Sequence, residues 1–202
     1  MPDEELMLAY GRGDVRAFEL LYARHEAALY RFVRRLLGTA AASQADEVFQ
    51  DTWTRIVAAR TRFVAQQAAW RTWAFTIAHN AAMDRLRTSG REVSMTAAPG
   101  DDPDETMDWI VESLGDGAPS IEDLAFWRSA GRQLLHCLDG LPPDQRAAFL
   151  LHHEDGVGVE ELAARLEVPF ETAKSRLRYA LRKLRGCMGA YLEPFAERAA
   201  SS

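Results

Sequence analysis

An all-α protein of two small helical domains, joined by an acidic flexible linker, is predicted by three features of the sequence. Apolar residues recur at spacings of three and four along both ends of the chain. No stretch alternates with the period of two that a half-buried strand requires. Residues 92–127 hold ten acids and no base, with Pro, Gly and Ser crowded around one apolar patch, Met107, Trp109, Ile110 and Val111; that is linker composition. The boundaries follow as a first domain over 1–91, a linker over 92–122, a second domain over 123–187 and a tail over 188–202. A chain of 202 residues lets each domain bury a modest core.

In the first domain, "DVRAFELLYARHEAALYRFVRRLLG" carries Phe18, Leu21, Tyr22, Leu29, Phe32, Val33 and Leu36 on one helical face, with Asp14 as N-cap and Gly38 as the stop. "ADEVFQDTWTRIVAAR" buries Val48, Phe49, Trp53, Ile56 and Val57, and its polar face gathers Asp46, Glu47, Gln50, Asp51 and Thr54. "TRFVAQQ" breaks the period, and "AAWRTWAFTIAHNAAMDRLRTSGR" resumes it as one long helix. In the second domain, "GLPPDQRAAFLLHHEDGV" is a helix opened by Pro142 and Pro143 and closed at Gly156. Leu162, Ala163 and Leu166 then lie on one face of a short helix, Glu167 to Pro169 make a tight turn, and Ala173, Leu177, Ala180, Leu181 and Leu184 form the stripe of the next. Two short helices around a three-residue turn, the second one basic, spell helix-turn-helix.

The net charge of -6 is an average over unlike parts, since the domains carry +3 (1–91) and +1 (128–202) and the middle carries -10. The stretch "ETAKSRLRYALRKLR" has six basic residues and one acidic. With its stripe removed, it presents Glu171, Thr172, Lys174, Ser175, Arg178, Tyr179 and Arg182 toward its N-terminal half, residue types and a placement that suit the major groove. Lys174, Ser175 and Arg178 are the candidates for base edges, and Arg176, beside the stripe, for a phosphate. The long helix of the first domain follows an irregular loop, and aromatic and amide groups beside Asn80, Arg85, Arg87 and Arg91 suit unstacked single-stranded bases. Trp70 and Trp73, three residues apart, fit the core better than the surface; Asn80 and the loop fit an exposed site.

No run of about 18 uncharged apolar residues occurs, and "MPDEELMLAY" is acidic where a signal peptide is basic, so a cytoplasmic protein with no membrane span is expected. Cys137 and Cys187 lack a C-x-x-C partner, and neither a disulfide framework nor a zinc site is read from them; core packing accounts for Cys137. In "HHED", His152 and His153 are adjacent and point about 100° apart on a helix, which argues against a metalloenzyme face. No metal, cofactor or catalytic constellation is expected.

"ADEVFQDTW", "WRTWAFTIAHNAAMDRLR" and "LPPDQRAAFLLHHEDGVGVEELAARLEVPFETAKSRLRYALRKLR" together resemble the extracytoplasmic-function sigma factors of bacterial RNA polymerase, the first two segments matching region 2 of that family and the third region 4. The resemblance implies that Asp46, Glu47, Gln50, Asp51 and Thr54 dock on the β′ clamp helices of core polymerase. It implies that the 61–69 loop, with Arg62 and Phe63, and the helix carrying Asn80, Asp84, Arg85 and Arg87 open the −10 element and hold a flipped base. It implies that Thr172, Lys174, Ser175, Arg176, Arg178, Tyr179 and Arg182 read the −35 duplex, with the polymerase β flap as neighbour. An anti-sigma protein is a further expected partner. Glu171 stands where many members have Gly, which bears on the −35 sequence that is read. The rival is a two-domain helix-turn-helix regulator that binds duplex DNA without melting it, which would leave the loop and Asn80 without a role.

Overall fold

The computed structural model of the chain describes residues 1–66, 68–89, 121–154 and 156–200. Among these every regular element is helical, in the order α1 (Asp3–Gly11), α2 (Val15–Leu37), a 3-10 turn (Thr39–Gln44), α3 (Ala45–Ala58), a 3-10 turn (Arg60–Arg62), α4 (Trp70–Ser89), α5 (Ile121–Asp139), α6 (Pro143–Glu154), α7 (Val159–Arg165) and α8 (Phe170–Ala200). The expected linker lies outside the described residues except where α5 begins.

The first domain packs α2 against α1, α3 and α4, and α3 against α4. Asp14 caps α2 as its sequence suggests, its Oδ1 accepting from the N–H groups of Arg16 and Ala17 at 3.0 and 3.4 Å. Gly38 ends the helix with φ +67°, a conformation that favours glycine. Leu21, Leu29, Phe32, Val33 and Leu36 are buried, each large side chain contributing roughly 1.5–3 kcal/mol of apolar transfer. On α4, Ala74, Ala78, Ala81 and Ala82 are buried beside Trp70 and Phe75, and these small residues let the helix lie close to its neighbours. Trp70 is fully buried, as expected of core. Rings interlock around it: His25 at 4.4 Å, Trp53 at 6.4 Å, and Phe32 on Phe75 at 5.1 Å.

Helix α1 carries no sequence pattern that announces it, and long-range polar contacts hold it in place. Asp3 meets Arg24 at 2.8 Å and His25 Nε2 at 2.7 Å, while Glu4 Oε1 accepts the Trp70 N–H at 2.9 Å. That last bond satisfies a first-turn donor of α4 which the helix itself leaves unpaired. Burial raises the Asp3 carboxyl, but the bonds from Arg24 and His25 outweigh it and hold the group below its ordinary range.

The second domain packs α5, α6 and α7 around α8. Leu138, Leu141, Leu150, Leu151, Leu162, Ala173, Leu177, Ala180 and Leu184 are among its buried apolar residues. The turn between α7 and α8 runs through Glu167 at φ +52°, a left-handed position costly for a side-chain-bearing residue; the Glu167 and Val168 N–H groups bond back to Ala164 and Ala163.

Cys137 and Cys187, from which no disulfide was read, are bonded to each other, joining α5 to α8; a separation of 50 residues carries no local motif, so spacing could not announce the pairing. Residues 188–200 of the expected tail are helical, as α8 continues through Gly186 and Gly189 to Ala200. The disulfide and a Tyr191 hydroxyl bond to Ser129 at 2.6 Å fasten this extension to α5.

Candidate nucleic-acid and polymerase interface

On α3, Asp46, Glu47, Gln50 and Thr54 are exposed and Asp51 half-buried, because Val48, Thr52 and Ile56 turn inward. The expected polar face therefore exists, and it is partly engaged. Asp46 accepts from the Tyr30 hydroxyl at 2.8 Å, Asp51 pairs with Arg55 at 2.8 Å, Glu47 with Arg85 at 2.6 Å, and the Thr54 hydroxyl bonds back to the Gln50 carbonyl at 2.8 Å.

The α4 candidates divide into two groups. Asn80 is exposed at mid-helix, and its Oδ1 lies 3.1 Å from Nδ1 of His79. Arg62 is exposed on the turn before the loop. Asp84, Arg85 and Arg87 form an ionic seam: Asp84 receives Arg55 at 2.9 Å and also pairs with Arg87, while Arg85 reaches Gln44 at 2.7 Å and Glu47. The Arg55 bond foremost, with Arg87 behind it, holds the Asp84 carboxyl below its ordinary range. Arg55 was absent from the sequence candidates, yet it joins the acidic face of α3 to the expected −10 helix. Phe63 requires correction as a −10 contact: it is 5 % exposed and packs edge-on against Trp73 at 5.3 Å, anchoring the loop from below.

On α8, Lys174, Arg178, Tyr179 and Arg182 are exposed and Thr172 and Ser175 half-buried, on the helix that α7 and the turn deliver. The Tyr179 ring carries the guanidinium groups of Arg178 and Arg182 at 5.4 and 5.2 Å, and Lys174 stands 5.7 Å from the Phe170 ring. These cation–π contacts brace long cations that otherwise lose rotamer entropy on binding. Glu171 lies 3.7 Å from Lys174, which offsets the acid's repulsion of a phosphate. Arg176 differs from its neighbours: it pairs with Asp144 of α6 at 2.6 Å and is half-buried, so in this structure it braces α8 and faces the protein.

His152 and His153 serve the fold. His152 Nδ1 lies 2.6 Å from the Val157 carbonyl and His153 stacks on Phe149 at 4.4 Å; among the described residues no three His, Cys, Asp or Glu converge on a metal position. No helix among them is long and apolar enough to cross a membrane.

Sequence comparison matches residues 21–92 to the Sigma-70 region 2 family and residues 131–184 to the Sigma-70, region 4 family. The chain is 30% identical over 189 residues to the ECF RNA polymerase sigma factor SigK of Mycobacterium ulcerans, covering 92% of each chain. It is 28% identical to the protein of that name in Mycobacterium tuberculosis, covering 87% of each. Its fold is similar to the sigma factor RpoE crystallised with the anti-sigma factor NepR from Bartonella quintana, at 22% identity and TM-score 0.61 over 85% of this chain and 96% of that one. It is also similar to CnrH in complex with the cytosolic domain of CnrY, at 25% identity and TM-score 0.58 over 93% and 97%. The long α4 with its exposed amide, the helix-turn-helix with its braced cations and these matches lead to one conclusion: the chain belongs to the extracytoplasmic-function sigma factors of the sigma-70 family.

Proposed function

We propose how this sigma factor divides its work among residues. The exposed edge of α3, with Asp46, Glu47, Gln50, Asp51 and Thr54, docks on the β′ clamp helices of core polymerase, and the second domain sits near the β flap. Asn80, at the exposed middle of α4, takes the edge of a base flipped from the −10 element, with Arg62, Arg85 and Arg87 following the backbone. Flipping costs a few kcal/mol, which binding energy offsets; the chain hydrolyses nothing. The N-terminal half of α8 enters the major groove of the −35 duplex through Lys174, Ser175 and Arg178, with Tyr179 and Arg182 on phosphates. Two modest DNA contacts on one chain gain affinity through effective concentration, provided the linker spans them. The work is cytoplasmic, and an anti-sigma protein is a partner, as it is for the RpoE relative.

The observation that carries this reading is the exposed basic face at the start of α8, Lys174, Arg178 and Arg182, presented by a helix-turn-helix that buries Leu162, Ala163, Ala173, Leu177, Ala180 and Leu184. Gel-shift titration against duplexes with randomised −35 positions, with and without core polymerase, tests it. Sequence-selective binding that weakens in Lys174→Ala supports the assignment; binding indifferent to both sequence and Lys174 defeats it.

A further inference from the structure

Among the described residues of the second domain, two large apolar side chains are exposed, and both stand on α8: Phe170, 42 % exposed, and Tyr179, 43 % exposed. Tyr179 carries the guanidinium groups of Arg178 and Arg182. Phe170 has a different setting. It is the first residue of α8, and the Pro169 carbonyl accepts from the N–H groups of Thr172 and Ala173 at 2.9 and 3.1 Å, which fixes the first turn of the helix. Phe170 precedes the buried Ala173 and Leu177 by three and seven positions, the spacing of a core stripe. Its ring nevertheless stays outside: Leu166 and Val168, just before it, pack against the core, whereas Phe170 is exposed. An aromatic ring left in water forgoes the transfer free energy that burial would bring.

The surroundings of the ring are charged. Lys174 Nζ stands 5.7 Å from its centre, one turn further along the same side of the helix, and Glu171 lies 3.7 Å from Lys174. In a helix-turn-helix the N-terminal residues of the second helix reach the base edges, and Phe170 stands ahead of every α8 residue assigned above to a base. The one methyl group that base edges display in the major groove is the C5-methyl of thymine, and Phe is a side chain that packs on it. The remaining edges offer acceptors and amino groups, for which a phenyl ring has no partner.

We infer that Phe170 is a specificity-determining residue of the −35 interface: its ring packs on the C5-methyl of one thymine, beside the base pair that Lys174 reads. The inference rests on the reading of α8 as the −35 helix, and adds to it the class of base at one position. Lys174 keeps the ring at this edge of the helix through the cation–π contact, and closure of the ring on the methyl removes both from water. No phosphate takes part, so the contact sets base preference and leaves the salt dependence of binding unchanged.

Deoxyuridine differs from thymidine only in lacking the methyl, so replacing the thymines of a −35 duplex one at a time probes the contact from the DNA side. The duplex is the one that wild type selects from randomised −35 positions, and the full chain, assembled with core polymerase, is titrated against each replacement by competition. One thymine is expected whose replacement lowers wild-type affinity about fourfold, the effect of losing one buried methyl group, with the salt slope unchanged. In Phe170→Ala the same replacement is expected to make no difference, while Lys174→Ala keeps the methyl effect on a weaker complex. Each ratio is taken within one protein, so a loss of stability in Phe170→Ala does not imitate the result. Phe170→Leu, which keeps an apolar side chain, is expected to retain part of the discrimination. Absence of any methyl-sensitive thymine, or a sensitivity that persists in Phe170→Ala, overturns the inference. A Phe170→Ala chain that loses affinity for core polymerase and keeps the methyl effect also overturns it, the ring then being a protein contact. Failure of the −35 reading itself overturns both and is told apart as equal wild-type affinity for selected and scrambled duplexes.

Discussion

Glu47 on α3 and Arg85 on α4 hold each other at 2.6 Å, so a residue assigned to polymerase and a residue assigned to the −10 strand are partners before either meets its target. Next to them Asp51, Arg55, Asp84 and Arg87 form a second chain of charges between the same helices. The two surfaces proposed for the first domain are physically joined.

Glu47→Gln separates the docking role of this pair from its structural one. Both side chains are more than a third exposed, and pairs of that kind are worth about 0.2–1 kcal/mol. The melting temperature is expected to fall by no more than about 5 °C, while affinity for core polymerase, measured by fluorescence titration, drops several-fold. Unchanged polymerase affinity would remove this edge of α3 from the docking surface.

On α8, adjacent arginines should behave differently. Arg178→Ala is expected to cost about 1–3 kcal/mol of duplex affinity if it reads a base edge, and to relax specificity at one position. Arg176→Ala breaks the bond to Asp144 and is expected to lower the melting temperature of the second domain while leaving the salt slope of duplex binding intact. A slope that drops by about one in Arg176→Ala would return that residue to the phosphate contacts.

The two-domain helical architecture, the N-cap at Asp14, the stop at Gly38 and the helix-turn-helix were legible because each rests on local spacing, and local spacing is what a sequence displays directly. The same holds for the exposed residues of α3 and α8, which are what remains once a buried stripe is removed. Phe63 was misassigned because a loop residue has no period from which to infer its burial; its packing on Trp73 is tertiary. Arg176 and Arg85 look like DNA contacts by residue type, and only the arrival of Asp144 and Glu47 from other helices shows how they are engaged. The Cys137–Cys187 bond, the bracing of α1 and the contact of Arg146 with Leu36 depend on separations of 50, 66 and 110 residues, which no short-range pattern encodes.

Reduction of the Cys137–Cys187 bond, or Cys187→Ser, is expected to destabilise the second domain by about 2–4 kcal/mol, the usual effect of a cross-link on the unfolded chain. Thermal melts with and without reductant measure it, the first domain acting as internal reference. Superimposable melts would mean that the bond adds nothing to the fold in solution.

His79 gives the fold an acid sensitivity. Burial pushes its imidazole below the ordinary value of 6.5, and the nearby Arg176 and Arg87 push the same way, against the Asn80 bond and Asp144. The unfolded chain therefore takes up the proton first: this stabilisation is complete above about pH 6.5 and is lost as the pH falls below it. His25 and His153 shift in the same direction through burial. His79→Gln is expected to shrink the difference in melting temperature between pH 7.5 and 5.5 without abolishing it, and an unchanged difference would mean that His79 is as free to protonate in the fold as out of it.

The central claim, that Asn80 and the α8 cations let this chain direct core polymerase to open a promoter, is tested most directly by permanganate mapping of open bases in transcription reactions with purified core polymerase. The account predicts start sites that require the protein, with reactive thymines in the −10 region that disappear in Asn80→Ala while −35 binding persists. Promoter-selective binding with no opened bases, or opening untouched by Asn80→Ala, would contradict it.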